Sequence, residues 1–383
     1  MGQEKTNLDV LSKTSRAWAE VDLSALEHNV SEVRRVLPPG VGLISVVKAD
    51  AYGHGVRQVV ERLNVLNLQG YGVASPREGA EVRATGVKEP IIVFGPVFPC
   101  DLELVLSHDL SVTVSSMEEL CWLSSALSGT RKNVCVHIKV DTGMGRMGVP
   151  LSGASSLVKY IEGVKNLKLT GVYTHLASAG EQDDFTALQR THFAEFIGTL
   201  PSTLNLSIHV DNSAGATVFD ASGPWSAVRL GLMQYGCEPC PLGHHSSLVL
   251  KPVLSAHARV GLIKSLPIGS TISYAGTHQL ARNSTVAVVT VGYADGLSIH
   301  LSNRGSMLVG GKRCPVLGRV CMDLTVLDVT DCLEPPKVGD LVTWIGSQGE
   351  DSIRAEELSS WADSIPWECL CSLSRRVPRI YLS

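Results

Sequence analysis

The chain has 383 residues, of which 44% are hydrophobic and 18% are charged, and its net charge at pH 7 is −4. This is the profile of a globular protein with about two or three domains, and the slight acidity gives no electrostatic reason to expect nucleic acid or an anionic membrane as a partner. No apolar run reaches the roughly 18 residues that a transmembrane helix needs. Ten cysteines without the spacing of a disulfide framework predict reduced thiols and a cytoplasmic location.

The first predicted elements are a short strand and a helix. Ala17 to Val21 alternates like a strand, and Asp22 and Ser24 are residue types that cap helices. Apolar residues at helical spacing follow until Pro38-Pro39-Gly40, which ends the helix.

An apolar run that starts at Val41 then stops at Lys48, ahead of the polar, glycine-bearing stretch 49–55. A lysine at the end of a buried strand is partly desolvated, which lowers the pKa of its ammonium group and suits Schiff-base chemistry. The alternative is a lysine that emerges into solvent where the strand ends.

Strand-like runs then alternate with helical patterns such as 56–66, 116–127, 154–162 and 184–200. The eight runs are 41–48, 70–75, 90–96, 110–116, 134–140, 167–176, 206–213 and 228–236. Eight strands separated by helices predict an α/β fold of the (β/α)8, TIM-type barrel kind over residues 1–249. Residues of about 16–22 are expected to pair with the domain that follows.

The sequence pattern changes in residues 250–383, where Gly, Pro, Asn and Asp separate short β-rich runs. The runs are 253–266, 270–274, 284–293, 307–309, 314–329 and 340–345. This pattern predicts a mainly antiparallel β domain, interrupted by one helix at 354–364.

Reactive side chains collect where the predicted barrel strands end. They are Lys48, Tyr52, Lys139, Asp141, Arg146, His175, Asn212, Ser213, Arg229, Gly231 and Leu232. The strand ends of such a barrel share one face, which carries the catalytic residues and, after the last two strands, a phosphate site. Ser213 and the N–H groups near Gly231 are therefore phosphate candidates. Taken singly, Asn212 reads as a turn former, His175 as a hydrogen-bonded histidine and Arg229 as an ion-pair partner; together these residues predict an active site.

A set of motifs that spans nearly the whole chain resembles the alanine racemase family, which are barrel-type enzymes that use pyridoxal 5'-phosphate (PLP). The motifs are Val46-Val-Lys48-Ala-Asp-Ala-Tyr52-Gly-His-Gly55, Lys139-Val-Asp-Thr-Gly-Met-Gly-Arg146, Thr174-His175-Leu-Ala, Asp211-Asn212-Ser213-Ala, Val228-Arg229-Leu-Gly231-Leu-Met-Gln-Tyr235-Gly, Ile272-Ser-Tyr274, Val291-Gly-Tyr293-Ala-Asp-Gly296, Gly318-Arg319-Val-Cys-Met322-Asp323 and Arg376-Val-Pro-Arg379.

The resemblance implies an isomerase that interconverts L-alanine and D-alanine, with PLP as cofactor, a free amino acid as substrate and a homodimer with active sites at the interface. Lys48 would hold PLP and act as a base on one face of the substrate α-carbon. Tyr274 of the partner subunit would be the base on the other face, because racemisation removes a proton on one side and returns one on the other. His175 would accept a hydrogen bond from Tyr274. No metal is expected.

The resemblance assigns the remaining site residues as follows. Arg229 would face the pyridine nitrogen of PLP and keep it unprotonated, since a guanidinium does not surrender its proton. Arg146 would bind the phenolic oxygen of PLP and the substrate carboxylate, which would also meet the backbone N–H of Met322 of the partner subunit. Lys139 would be carbamylated and would hold Arg146 in place. The phosphate ligands would be Tyr52, Ser213, Gly231 and Leu232, with Asn212 beside them.

Departures from the family pattern concern substrate preference. Arg375 stands where the family usually has a tyrosine, a glycine at or near Gly180 stands for an aspartate, and 297–299 lacks an expected arginine. We expect Arg375 to face the PLP phosphate or the substrate pocket, which leaves a serine or broad-specificity racemase as an alternative. A non-catalytic PLP-binding protein of the same barrel type is a further alternative that Tyr274 and Met322 disfavour. A barrel-type decarboxylase is disfavoured because its cysteine–glutamate signature is missing.

Overall fold

The computed structural model describes residues 14–179, 181, 184–239 and 248–383. The predicted departure at Gly180 therefore lies outside the described residues.

The first part of the described chain holds ten strands: β1 Ala17–Asp22, β2 Gly42–Val46, β3 Gly70–Val73, β4 Ile91–Val93, β5 Ser111–Val114, β6 Val134–Asp141, β7 Val149–Pro150, β8 Leu167–Tyr173, β9 Ser207–His209 and β10 Ala227–Leu230. Eight of them, β2–β6 and β8–β10, pair in parallel in the order β5-β4-β3-β2-β10-β9-β8-β6, and the pairing of β5 with β6 closes the barrel. Each of the eight predicted runs overlaps with one barrel strand, so the predicted TIM-type barrel is confirmed.

Helices cover the outside of the barrel: α1 Leu23–Val36, α2 Lys48–Tyr52, α3 Val56–Leu63, α4 Pro76–Ala84, α5 Leu102–Ser107, α6 Met117–Leu127, α7 Leu151–Glu162, α8 Asp184–Gly198 and α9 Ser213–Thr217. The capping chemistry of α1 is as predicted, because Asp22 Oδ1 accepts hydrogen bonds from the N–H groups of Ser24 and Ala25, both at 2.9 Å. The segment labelled α2 is an unusual turn that belongs to the candidate site.

The second part of the chain is a β domain: β11 Leu254–Leu266, β12 Thr271–Ile272, β13 His278–Gln279, β14 Ser284–Val289, β15 Ser306–Val309, β16 Lys312–Leu317, β17 Thr325–Asp328, β18 Leu341–Gln348, β19 Asp351–Ile353 and β20 Arg379–Leu382, with helices α10 Ala355–Trp361 and α11 Pro366–Cys371. Its large sheet has the order β19-β18-β15-β16-β17-β14-β11-β1-β20. The neighbours pair antiparallel except for β1 with β20, so the predicted antiparallel character is confirmed.

Strand β1 lies inside this second sheet, between β11 and β20, although it comes first in the chain. Ala17 pairs with Ala258 of β11, and Ala19 pairs with Arg379 of β20. Among the described residues, most buried apolar side chains of the barrel and of the sheet belong to one continuous cluster, which includes Ala17, Ala19 and Val21 of this strand.

The predicted β-rich run 314–329 contains parts of two strands, because the chain turns back at Gly318, whose φ of 71° suits glycine. One detail of the prediction for the β domain was wrong. The single predicted helix is followed by a second one, α11, which starts with Pro366 and is too short to show a helical period. Each of the described helices is too short or too polar to cross a bilayer.

Candidate active site

Lys48 lies directly after β2, where the backbone makes a left-handed turn. Ala49, Asp50 and Ala51 have φ of 53° to 54° and ψ of 47° to 51°, and Tyr52 continues with φ of 54°. Each non-glycine residue in this conformation costs roughly 1–2 kcal/mol, so the turn persists only because its surroundings fix it. The sequence predicted a turn here, but not its handedness.

Glu78 fixes the start of this turn. Its Oε1 accepts a hydrogen bond from the N–H of Ala49 at 2.8 Å, and its Oε2 accepts one from the N–H of Ala74 at 2.6 Å. Glu78 lies in the first turn of α4, three residues after the cap residue Ser75. Sequence reasoning missed Glu78, although Ser75-Pro-Arg-Glu78 has the pattern of a capping box.

The end of β2 is held from the other side by the last segment of the barrel. The carbonyl oxygen of Val46 accepts hydrogen bonds from Gln234 Nε2 at 2.9 Å and from the Tyr235 hydroxyl at 3.1 Å. Ser45 Oγ donates to Gln234 Oε1 at 2.8 Å. The backbone that precedes Lys48 is therefore immobilised by buried polar groups.

The amine of Lys48 lies among other cations. Lys48 is exposed as a residue. Partial burial of its amine nevertheless lowers the pKa, and the positive charges of Arg146 and Arg229 lower it further, while the charge of Glu78 opposes them. Burial, followed by the same two arginines, lowers the pKa of Lys139 to about 8. Both amines are thus easier to deprotonate than an ordinary lysine, and the cluster suits an anionic ligand.

Arg229 is buried and donates hydrogen bonds to the carbonyl oxygens of Thr174, His209 and Val210 at 2.7–2.9 Å. It also lies 2.9 Å from His209 Nδ1 and 3.1 Å from His175 Nδ1. A guanidinium has only donors, so both histidines must accept at Nδ1 and carry their hydrogen on Nε2. Arg229 has no ion pair in the described parts of the chain, so neutral acceptors fix it and the alternative reading of Arg229 as an ion-pair partner does not hold.

Burial, reinforced by the charge of Arg229, lowers the pKa values of the neighbouring His175 and His209. Burial lowers the pKa of His175 to about 2, with a further contribution from Arg229. Burial also lowers the pKa of Arg229, to about 10, which still leaves it protonated at neutral pH. His175 is therefore neutral, and its Nε2–H is a donor.

A second layer supports Arg229 from inside the barrel. The ring of Tyr173 lies 5.3 Å from the Arg229 guanidinium and stacks on His209 with 4.7 Å between centroids. His209 Nε2 lies 3.2 Å from His137 Nδ1 and, with Nδ1 accepting, must donate to it. Sequence reasoning missed these three residues, whose signal is weak: polar rings inside otherwise apolar strand runs.

The predicted phosphate residues lie together. Ser213 Oγ accepts hydrogen bonds from the N–H groups of Gly231 at 3.0 Å and Met233 at 3.3 Å. A Cβ atom on Gly231 would lie 2.9 Å from the Tyr52 hydroxyl and 3.8 Å from Ser213 Oγ. Two hydroxyl groups and the start of a helical turn at Leu232 therefore surround a space that only glycine leaves open.

Asn212 has a structural task beside this space, because its Oδ1 caps α9 by accepting from the N–H of Gly215 at 2.8 Å. Arg146 is exposed in the loop after β6. Asp141 shapes that loop by accepting hydrogen bonds from the N–H groups of Gly143 at 3.0 Å and Gly145 at 3.1 Å.

Tyr274 and Met322 lie on the β domain and face outward, with 70% and 51% of their surfaces exposed. The two residues that flank Tyr274 have unusual positive φ angles, 62° at Ser273 and 61° at Ala275. The Ser273 hydroxyl donates to the carbonyl oxygen of Arg319 at 2.6 Å and so ties this strained backbone to the neighbouring loop. Within the described residues, no hydrogen bond connects Tyr274 to the barrel.

Arg375 is exposed between α11 and β20. The described parts of the chain offer it no hydrogen bond or ion pair, so the direction in which it acts stays a prediction. The neighbouring Arg376 differs, because it pairs with Asp323 at 2.7 Å.

Two family models match the chain. The model described as alanine racemase, N-terminal domain, matches residues 21–239, and the model described as alanine racemase, C-terminal domain, matches residues 253–381. Among curated relatives, a protein of Halothermothrix orenii named alanine racemase is 41% identical over 372 residues, which cover 96% of this chain and 97% of the relative. One of Geobacter sulfurreducens with the same name is 38% identical over 373 residues, 95% and 97% of the two chains.

Solved structures show the same likeness. Alanine racemase from Bacillus anthracis with bound L-Ala-P has a TM-score of 0.88 at 33% identity, covering 96% of this chain and 95% of that one. Alanine racemase from Bartonella henselae with covalently bound pyridoxal phosphate has a TM-score of 0.87 at 26% identity, covering 96% and 100%.

Proposed function

The chain belongs to the alanine racemase family, and on that premise we propose that it is a PLP-dependent isomerase that interconverts L-alanine and D-alanine with Lys48 and Tyr274 as its two bases. The observation that carries this proposal is the amine of Lys48 at a strand end, with a lowered pKa and with two arginines close enough to contribute to it. A lysine of this kind is suited to bind a carbonyl compound covalently.

The residues present fit PLP. The space beside Gly231 is lined by the hydroxyl groups of Tyr52 and Ser213, and a Cβ atom on Gly231 would fill it. Because Ser213 Oγ accepts from the N–H of Gly231, its own hydrogen is directed elsewhere and can be donated to a phosphate group. The cluster of Lys48, Lys139, Arg146 and Arg229 supplies the positive charge that an anionic cofactor requires.

PLP, when bound, supplies an electron sink that makes the α-hydrogen of an amino acid acidic. Lys48 would hold the cofactor, Tyr52, Ser213, Gly231 and Leu232 would hold its phosphate, and Arg146 would hold its phenolic oxygen. The Nη hydrogens of Arg229 already go to protein acceptors. Arg229 would therefore face the ring nitrogen with its Nε–H, which keeps that nitrogen an acceptor.

Each base serves one face of the substrate α-carbon. The Lys48 amine takes or returns the proton on one face, and the Tyr274 hydroxyl does so on the other, because a racemase must invert the stereocentre. We further propose that His175 lies beside Tyr274 in the assembled site. Since Nδ1 of His175 accepts from Arg229, the Nε2–H group is the one that would face the Tyr274 oxygen and stabilise its anion. This reverses the direction of the hydrogen bond that the family resemblance implied.

We propose that Lys139 is carbamylated. Its pKa of about 8 leaves a fraction of the amine neutral at physiological pH, and a neutral amine is the form that reacts with CO2. The product is an anion, which would offset part of the surrounding positive charge and hold Arg146.

We propose a homodimer in which each active site combines the barrel of one subunit with the β domain of the other. This is supported by Tyr274 and Met322, which are exposed on their own chain. Other large apolar side chains of the β domain are also exposed, among them Tyr293, Ile299 and Leu324. A two-fold interface would bury such a patch twice.

Subunit mixing tests the shared site. Lys48→Ala and Tyr274→Phe should each be inactive as homodimers, and a mixed dimer should regain activity because one of its two sites has both bases. Subunit exchange is followed with a tag on one of the two subunits. The matched control mixes Lys48→Ala with Tyr160→Phe, which changes a tyrosine outside the proposed site in the same way. Proven exchange without recovery of D-alanine formation would refute the shared site.

A serine or broad-specificity racemase is the second candidate, because Arg375 is exposed where the family pattern has a tyrosine. Initial rates on L-alanine, L-serine and larger L-amino acids decide between the two. If the initial rate on L-alanine is lower than the rate on L-serine, serine rather than alanine is the main substrate.

We also propose that residues 1–249 and 250–383 act as the PLP-binding unit and the unit that donates Tyr274. The two family-model matches, 21–239 and 253–381, support this division. A cytoplasmic location is supported by the nine described cysteines, all of which are free thiols. Cell fractionation with enzyme assays would contradict it if activity appeared outside the cytoplasm.

A further inference from the structure

Two cysteines of the β domain lie side by side. Cys314 is on β16 and Cys332 is in the turn after β17, and their Sγ atoms are 3.5 Å apart. Both are free thiols. Cys314 is 2% exposed, whereas Cys332 is only partly buried, so one sulfur of the pair is reachable from solvent.

We propose that Cys314 and Cys332 form a reversible disulfide when the protein meets a small-molecule disulfide. A disulfide needs an S–S distance of about 2.05 Å, so the sulfurs must approach each other by roughly 1.5 Å. Such a displacement is within reach of a side-chain rotation and a small adjustment of a turn. Disulfides of this type in reducing compartments are transient and respond to redox conditions.

The surroundings indicate which cysteine moves. Cys314 is fixed in the strand ladder, opposite Met307 of β15. Cys332 ends a turn in which its N–H donates to the carbonyl oxygen of Val329 at 3.2 Å. The turn is also held by side-chain bonds, among them Arg282 to Asp331 at 2.6 Å. Cys332 itself is only partly buried, whereas Cys314 is enclosed in the sheet, so Cys332 approaches Cys314.

Exposure and acidity give the order of the steps. The Cys332 thiolate attacks the small disulfide, forms a mixed disulfide and releases one small thiol. The Cys314 sulfur then loses its proton, attacks the Cys332 sulfur and releases the second small thiol. The protein loses two hydrogens and the oxidant gains them. Burial raises the pKa of the Cys314 thiol, with the neighbouring Cys332 adding to the effect, and this slows the second step.

The disulfide would close a ring of about 18 residues that contains Met322. A cross-link of this length restricts the unfolded chain and therefore stabilises the folded hairpin of β16 and β17. The bond draws in the turn at Cys332 rather than the loop at Met322. We therefore expect a higher melting temperature with catalytic turnover changed by less than about twofold.

The test is to incubate the holoenzyme with oxidised glutathione and digest it under non-reducing conditions with trypsin and an Asp-directed protease. These cuts separate Cys332 from Cys321, which lies in the same tryptic peptide. The expected product is a cross-linked pair that contains Cys314 and Cys332, is lighter by two hydrogens than the separate peptides and disappears with dithiothreitol. The melting temperature should rise by a few degrees.

Controls separate this pair from the other thiols. Cys332→Ser should abolish both the cross-link and the melting shift, whereas Cys121→Ser, an exposed cysteine on α6, should leave both unchanged. A mixed disulfide that stays on Cys332, or a cross-link to another cysteine, would overturn the proposal. A Cys314–Cys332 cross-link without a melting shift would overturn its stabilising role. None of these readouts depends on whether the chain racemises alanine.

Discussion

The surroundings of Lys48 and those of Tyr274 differ in how completely one chain builds them. Lys48 follows a backbone that is held by Glu78 and Gln234, and its neighbour Arg229 is held by five hydrogen bonds or close nitrogen contacts. Tyr274 is 70% exposed, so its side chain has few contacts on its own chain. The residues on both sides of it have strained backbone conformations with positive φ.

The difference shows how far the barrel part of the site, around Lys48, and the β-domain part, around Tyr274, each depend on a ligand or a partner subunit. The barrel half is organised before any ligand or partner arrives, because buried groups of the same chain satisfy one another. Tyr274 lies on a fixed backbone, but within the described residues no hydrogen bond connects its side chain to the barrel of its own chain. The four predictions below test this contrast, beginning with the largest expected effect.

Lys48→Ala should break the barrel half outright. We expect the rate of D-alanine formation to fall about 10⁴-fold or more, since a covalent anchor and a base are lost together. Visible absorbance from the bound cofactor should be lost as well. Lys159→Ala, an exposed lysine on α7, should behave as wild type. The assignment is wrong if borohydride reduction and peptide mapping place PLP on another lysine.

Acid should weaken the barrel half through its histidines. Burial lowers the pKa values of His54 and His137 to about 4 and that of His175 to about 2, and it also lowers the pKa of His209. Each folded-state pKa lies below the unfolded value of about 6.5, so the unfolded chain binds protons first as the pH falls. The contribution of these histidines to the free energy of unfolding is therefore fully present above about pH 6.5 and decreases as the pH falls below that value.

The slope below that pH should approach about 1.4 kcal/mol per pH unit for each such histidine. Urea unfolding between pH 7 and pH 5 measures it. His137→Gln should reduce the slope, while His300→Gln, an exposed histidine of the β domain, should not. A stability that is flat from pH 7 to pH 5 would contradict neutral, buried histidines in the native barrel.

Gly231→Ala should damage the phosphate space and leave the rest intact. The added methyl group would come within 2.9 Å of the Tyr52 hydroxyl. We expect PLP to bind about tenfold more weakly, which corresponds to about 1.4 kcal/mol. Gly198→Ala is the matched control, because a Cβ atom there meets nothing within 4 Å. Equal PLP affinity in both variants would rule out this space as the phosphate site.

Arg375→Tyr should give the smallest effect. If Arg375 faces the site, its guanidinium offers a charge-assisted donor to the phosphate or to a substrate hydroxyl. The substitution should then lower serine turnover relative to alanine by a few-fold and change PLP retention. Arg131→Tyr, an exposed arginine on the barrel, is the control. An unchanged ratio together with unchanged PLP retention would show that Arg375 points away.

The sequence was sufficient for the barrel and for its strand ends, because a period of strand and helix repeats eight times and polar residues stand where each run stops. It could not reveal the handedness of the turn at Ala49 to Tyr52, since none of those residues is a glycine. The strain there is imposed by distant groups such as Glu78, 29 positions away from its partner Ala49.

The support of Arg229 was also beyond the sequence. His209 and His137 are separated by 72 positions and meet only because the barrel closes. Their tautomers follow from the Arg229 donors and from no local pattern. In the β domain, short elements such as α11 and β13 carry too few residues to show a period, and they are specified by the sheet around them.

Strand β1 has a consequence for the order in which the protein can be completed. Of the described strands it leaves the ribosome first, yet its two neighbours in the sheet are β11 and β20, and β20 ends at Leu382. The barrel can close as soon as β10 has emerged, whereas the first strand must wait for the last one before both of its edges are paired. A nascent chain that stalls before β20 would therefore carry a closed barrel next to an open sheet edge, and such an edge can pair with another chain.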